Sequence, residues 1–147
     1  MKHLLYILVL ASVLFTSCEM NSSDNGKLDN IWYLVKVDSI SNGKKAIDYR
    51  SQHIFWAFQG SLMQTNCVDS MNLYIMYRFD ATDKQLIVKS PFIYDRVEDD
   101  LFITDETLDM IRMYGINAVT DTFLIEKLNS TTMILKDDSL RLYFDKY

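Results

Sequence analysis

This chain is poor in the residues that carry most catalytic chemistry. It has two histidines in 147 residues, and His3 lies in an N-terminal leader, so His53 stands alone. One imidazole cannot build a His-rich zinc site, and any Ser-His-Asp or Cys-His arrangement would have to use that same ring. Four glycines leave no Gly-rich phosphate loop. Basic side chains are outnumbered 15 to 20 by acidic ones, a formal charge of −5, which argues against nucleic acid because phosphates need a cationic surface. No pattern singles out a pair of carboxylates for acid–base work. The chain is therefore expected not to be an enzyme, and no cofactor or metal is expected.

Long apolar runs are also missing. The run over residues 4–14 follows Lys2 and has the length of a signal-peptide core, too short for a comfortable bilayer span. It ends in Phe15-Thr16-Ser17-Cys18, which resembles the lipobox of bacterial lipoproteins. That resemblance implies cleavage before Cys18, diacylglycerol on its thiol and an acyl chain such as palmitate on its new amino group. Residues 1–17 are then a signal peptide and Cys18 the first mature residue. The 130 residues that follow suit one domain with a single hydrophobic core, at a formal charge of −6 once Lys2 is gone. A basic grip on anionic lipid is excluded by that charge, so acyl chains would have to hold the protein at the membrane. With Cys18 given to lipid, Cys67 has no intramolecular partner; it is a reactive or intermolecular thiol, or a small apolar residue near a strand end.

Residues 18–30 are polar, with Ser22-Ser23 and Asn25-Gly26, and read as a flexible tether. The pattern then changes. Eight stretches have strand length and β-branched or aromatic content, at 31–39, 53–59, 61–66, 73–79, 85–90, 122–128, 132–136 and 140–146. Leu73, Ile75, Tyr77 and Phe79 form the cleanest apolar face, while 53–59 is apolar on both faces and does not declare which points inward. Residues 46–51 are a crossing loop or a short extra strand. Pro91, the single proline, is expected to end the strand before it, having no N–H to give. Asp95, Glu98, Asp99, Asp100, Asp105 and Glu106 lack the spacing of a calcium loop and read as a solvated acidic loop. Next, Asp105 is placed to cap a short helix over about 105–114, with Leu108 and Ile111 on one side and Gly115 as the stop. The connections are short enough to be antiparallel, and eight strands can close on themselves. The expected fold is all-β, an up-and-down barrel over residues 31–147.

Trp32-Tyr33-Leu34-Val35 and the closing pattern Phe123-x-Ile125-x-x-Leu128, Met133-x-Leu135, Leu140-x-Leu142-x-Phe144-x-Lys146 resemble the lipocalin-like domain of small lipoproteins from Gram-negative bacteria. The resemblance implies a lipocalin-like barrel in the cell envelope, at the outer membrane. It also implies a basic side chain from the last strand over the first tryptophan, for which Arg141 and Trp32 are the candidates. Two functions follow. In one, the barrel takes a small apolar or amphipathic ligand against Trp56, Phe58, Tyr77 and Phe79. In the other, those side chains fill the barrel, which serves as a rigid scaffold for a protein partner.

Overall fold

A computed structural model describes residues 25–41, 46–69, 73–95 and 97–147. The signal peptide, Cys18, the start of the tether and part of the turn after the first strand lie outside the described residues. Ten strands form one antiparallel sheet: β1 (Ile31–Ser39), β2 (Ala46–Asp48), β3 (Ile54–Gln59), β4 (Leu62–Cys67), β5 (Ile75–Ala81), β6 (Gln85–Ile93), β7 (Leu101–Phe102), β8 (Thr120–Leu128), β9 (Thr132–Lys136) and β10 (Leu140–Lys146). Eight of them run β1-β3-β4-β5-β6-β8-β9-β10, and β10 pairs back onto β1, with Leu34 opposite Phe144 and Val37 opposite Leu142. That last pairing closes the barrel the sequence predicts and removes its long edges. The other two strands are short additions: β2 extends the edge of β1 and β7 that of β6.

Alternation sends every second side chain inward. In β3 it is Ile54, Trp56 and Phe58 that are buried, which decides the face the sequence leaves open, and in β5 it is Ile75, Tyr77 and Phe79. Of the closing pattern of the chain, Phe123, Met133, Leu135, Leu142 and Phe144 are fully buried, Ile125, Leu128 and Leu140 are partly buried against them, and Lys146 is exposed. Inside, Trp56 touches Phe144 and Phe123 at ring separations of 5.0 and 5.7 Å, and Phe58 meets Phe79 edge to face at 5.2 Å.

Each end of the barrel is stopped. At the N-terminal pole a 3-10 turn, Gly26–Leu28, buries Leu28 in the core, and the Trp32 indole Nε1 donates to its carbonyl at 2.9 Å. Residues 25–30 are thus part of the folded domain, a correction to the tether boundary; Leu28 supplies apolar area that a polar average conceals. At the opposite pole, called here the helix pole, a 3-10 turn (Asp105–Thr107) leads into α1 (Asp109–Arg112). The helical stretch lies where expected, but as two short pieces, and Asp105 caps neither: the 3-10 turn is capped by Thr104, whose backbone N–H donates to the Thr107 hydroxyl at 3.0 Å, and α1 starts from Leu108. Ile111, Tyr114 and Ile116 enter the core there, while Met110 and Met113 stay exposed.

Pro91 does not end its strand. β6 continues through it to Ile93, because Ser90 takes φ of +52° and the register slips between Met76 and Arg78 on the partner strand. A bulge at this point absorbs the missing N–H, and the Pro91 carbonyl still accepts from Ile103 N at 2.8 Å.

Candidate functional site

The four side chains expected to line a ligand cavity do come together inside the barrel. They line nothing. Trp56 and Tyr77 have 0% exposure and Phe58 and Phe79 are at 4% and 5%, so neither Trp56 nor Tyr77 borders an internal void large enough for a water molecule. Opposite Trp56 in the register sits Thr65, and opposite Tyr77 sits Met63, both at 0% as well. The Tyr77 hydroxyl and Thr65 Oγ1 are 3.1 Å apart, which satisfies two polar groups that burial would otherwise strand. Burial pushes the Tyr77 phenol above its ordinary pKa, only partly offset by that hydrogen bond, and burial likewise raises Tyr114. Around these rings the core is apolar apart from that hydroxyl pair.

Arg141 and Trp32 do not meet. The register sets Arg141 opposite Asp38, six residues along β1 from Trp32, which is about 20 Å at the usual strand rise. They also face opposite ways: Trp32 is buried in the core, while Arg141 lies between the inward-facing Leu142 and the half-buried Leu140, on the outer wall. There its guanidinium forks onto Glu126, Nε to Oε2 at 2.8 Å and Nη2 to Oε1 at 2.9 Å. The basic residue in register with Trp32 is Lys146. A nearby cation contact does exist, with Lys36 Nζ 4.2 Å from the centre of the Tyr143 ring.

His53 takes φ of +46° just before β3, and its Nδ1 is 2.5 Å from Asp69 Oδ2. Half of each side chain is exposed, and the imidazole stacks toward Tyr33, which in turn stacks on Phe55 at 5.0 Å. A His–carboxylate pair could polarise a nucleophile, yet the Cys67 thiol, the soft nucleophile of this strand end, is buried and donates to Gln52 O at 3.0 Å. Among the described residues no three His, Cys, Asp or Glu side chains gather to hold a metal. The acidic residues of 95–106 lie in exposed chain, where Asp95 Oδ1 accepts Val97 N at 2.8 Å.

Open depressions lie on the outside. One of about 870 Å³ runs along the wall at the N-terminal pole, bounded by Asn30, Ile31, Ala57, Leu62, Met76 and Tyr147 among others. A smaller one, about 260 Å³, sits under Met113 beside Tyr49 and Ile54. Neither signal was legible in sequence, because both depend on how the turns fold back over the strand ends.

A closed eight-stranded antiparallel barrel, entered through a 3-10 turn and stopped by a short helix, defines the lipocalin-like class. The model of the lipocalin-like domain matches residues 13–147, and the chain belongs to that family. The fold is also that of a crystallised lipocalin-like protein from Bacteroides uniformis, at 16% identity and a TM-score of 0.59, covering 83% of this chain and all of that one. A second crystal structure, of an uncharacterised protein from Bacteroides eggerthii, aligns at 15% identity and a TM-score of 0.56 over 80% of this chain and 98% of the other. No curated protein matches the sequence.

Proposed function

We propose that this is a lipid-anchored protein of the cell envelope, at the outer membrane, whose barrel works as a solid scaffold and not as a carrier. Cys18 holds the acyl chains, and the folded domain begins within about ten residues of it. The observation that carries the scaffold reading is the full burial of Trp56 and Tyr77 at the centre of the expected cavity. A buried aromatic of 150–250 Å² contributes up to about 4–6 kcal/mol of apolar burial, so a ligand that displaced these rings would have to replace that contact in full.

Two measurements test it. Cells fed a radioactive fatty acid label the parent chain and leave Cys18→Ala unlabelled; labelling that survives the substitution removes the anchor. Titration of the purified protein with fatty acids, retinoids and haem-like compounds leaves tryptophan emission unsaturated. A saturable 1:1 quench would restore the carrier.

A further inference from the structure

Charge and exposed apolar surface are both gathered at the helix pole. Across residues 94–112 the sequence has seven acidic and two basic side chains, a net −5, equal to the formal charge of the whole chain. The remainder of the chain is neutral on balance. Of the thirteen large apolar side chains exposed among the described residues, all but Ile31, Leu124 and Tyr147 lie on the turns, strand ends and helix of this pole. Four of them are clustered in sequence with the acidic groups: Tyr94 at 58% exposure, Val97 at 92%, and Leu101 and Phe102 at 62% each.

Leu101 and Phe102 are the whole of β7. They pair with Ile93 and Phe92 of β6, and among the described residues no strand pairs with their other edge. Successive strand residues face opposite ways, so exposure of both means that neither face is covered. Short as it is, β7 leaves one backbone edge unpaired to which an incoming strand can add, and Leu101 and Phe102, the latter resting on Phe92, offer exposed apolar surface beside it.

We propose that β7 and the Tyr94, Val97 and Phe102 side chains around it form a docking surface for a protein partner, which adds an extended segment with apolar residues at its centre and lysine or arginine at its rim. The proposal rests on the scaffold reading above and names the surface that reading needs. Charge selects the occupant. A second copy would bring −5 against −5, and an anionic bilayer would be repelled in the same way, whereas a cationic rim is attracted and steered. The chain leading back to Cys18 leaves from the other pole, where the Asn25 side-chain amide donates to Gly60 O at 2.6 Å, so the tether does not start beside β7.

The probe is a labelled seven-residue peptide of alternating lysine and valine, with a glutamate–valine peptide of the same length as control, titrated by anisotropy against the full chain in detergent. The Lys–Val peptide binds, and raising the salt weakens it. Phe102→Ser and, separately, Leu101→Ser weaken it about tenfold or more, Asp99→Asn with Asp100→Asn weakens it several-fold, and Leu124→Ser leaves it unchanged. Equal binding of both peptides, or binding indifferent to Phe102 and Leu101, overturns the proposal. So does a dimer in sedimentation, or binding to phosphatidylglycerol vesicles, that Phe102→Ser abolishes, since either would assign the surface to another occupant. Repeating the titration on Cys18→Ala separates the two levels: peptide binding that persists without fatty-acid label keeps this surface whatever becomes of the anchor.

Discussion

The Trp56 indole Nε1 donates to the backbone carbonyl of Tyr114 at 3.1 Å, tying the middle of β3 to the turn that follows α1 across 58 residues of sequence. This bond and its counterpart, Trp32 to Leu28, use the two tryptophans of the chain in the same way. Each fills the barrel with its ring and pins a plug with its N–H. The plugs are short, a three-residue turn at one pole and a four-residue helix at the other, and neither would be stable without such a tie.

Trp56→Phe keeps an aromatic ring but leaves a gap and an unsatisfied buried carbonyl. The expected loss is about 2–3 kcal/mol, read as a lower urea midpoint at unchanged slope. A loss below about 0.5 kcal/mol would mean that the Tyr114 carbonyl finds another donor and that the tie is not structural.

Gly115 stops the helix at φ of +85°, and a Cβ placed on it would lie 2.9 Å from Leu142 Cδ2. Leu142 is fully buried, so its side chain has little room to withdraw. Gly115→Ala combines left-handed strain with overpacking and should cost about 1–3 kcal/mol in thermal or urea unfolding. If the alanine variant were as stable as the parent, the turn must relax away from β10.

Tyr77 gives the chain an alkaline limit. Its pKa is raised in the folded state, so the folded protein holds the phenolic proton more tightly than the unfolded one. The stabilisation from Tyr77 is complete below the unfolded value of about 10 and is lost as pH rises above it. Stability of the parent should therefore fall above about pH 10 more steeply than that of Tyr77→Phe, which loses the Thr65 bond, about 0.5–1.5 kcal/mol, at every pH. Parallel curves for the two proteins would contradict a buried phenol.

Much of this architecture could be read from residue order, and the parts that could not share a cause. The Leu73–Phe79 and Leu140–Phe144 alternations declare both a strand and its inner face, since one face is apolar throughout, whereas 53–59 declares a strand but not its face. Four features depend instead on what lies across the sheet. Pro91 stays in β6 because Ser90 bulges. Leu28 is core because Trp32 holds its carbonyl. β2 and β7 are too short to show a period. Whether Trp56, Phe58, Tyr77 and Phe79 enclose a space or fill it depends on the summed volumes of all eight inner faces, which no local pattern encodes. Arg141 does not reach Trp32 for a simpler reason: alternation with Leu140 and Leu142 sends it outward, and the register sets it opposite Asp38.

Arg141 consequently lies on the outer wall, in an ion pair whose two side chains are each about one-third exposed. Arg141→Ala should leave the emission maximum of the tryptophans where it is and barely move the unfolding midpoint, because exposed pairs contribute little. A red-shifted or unquenched emission would place the guanidinium back over an indole.

Cys67 provides a reporter for opening of the helix pole. Its thiol is buried at the end of β4 and bonded to the Gln52 carbonyl, so a thiol reagent reaches it only when that end of the barrel opens. With domain stability of the usual 5–15 kcal/mol, global opening alone would slow modification by about 10³-fold or more relative to the unfolded chain. Two regimes are then separable. If the pole opens only with the whole domain, the reaction rate falls and rises with stability from any source, and Trp56→Phe and Trp32→Phe accelerate it to an extent set by their urea midpoints alone. If the helix plug opens by itself, Trp56→Phe accelerates the reaction well beyond that, while Trp32→Phe, whose tie is at the other pole, does not. The expected outcome is the second, because α1 is a single turn held to the barrel by Ile111, Tyr114 and one indole bond. Equal acceleration at equal stability would show instead that the barrel and its plugs open as one unit.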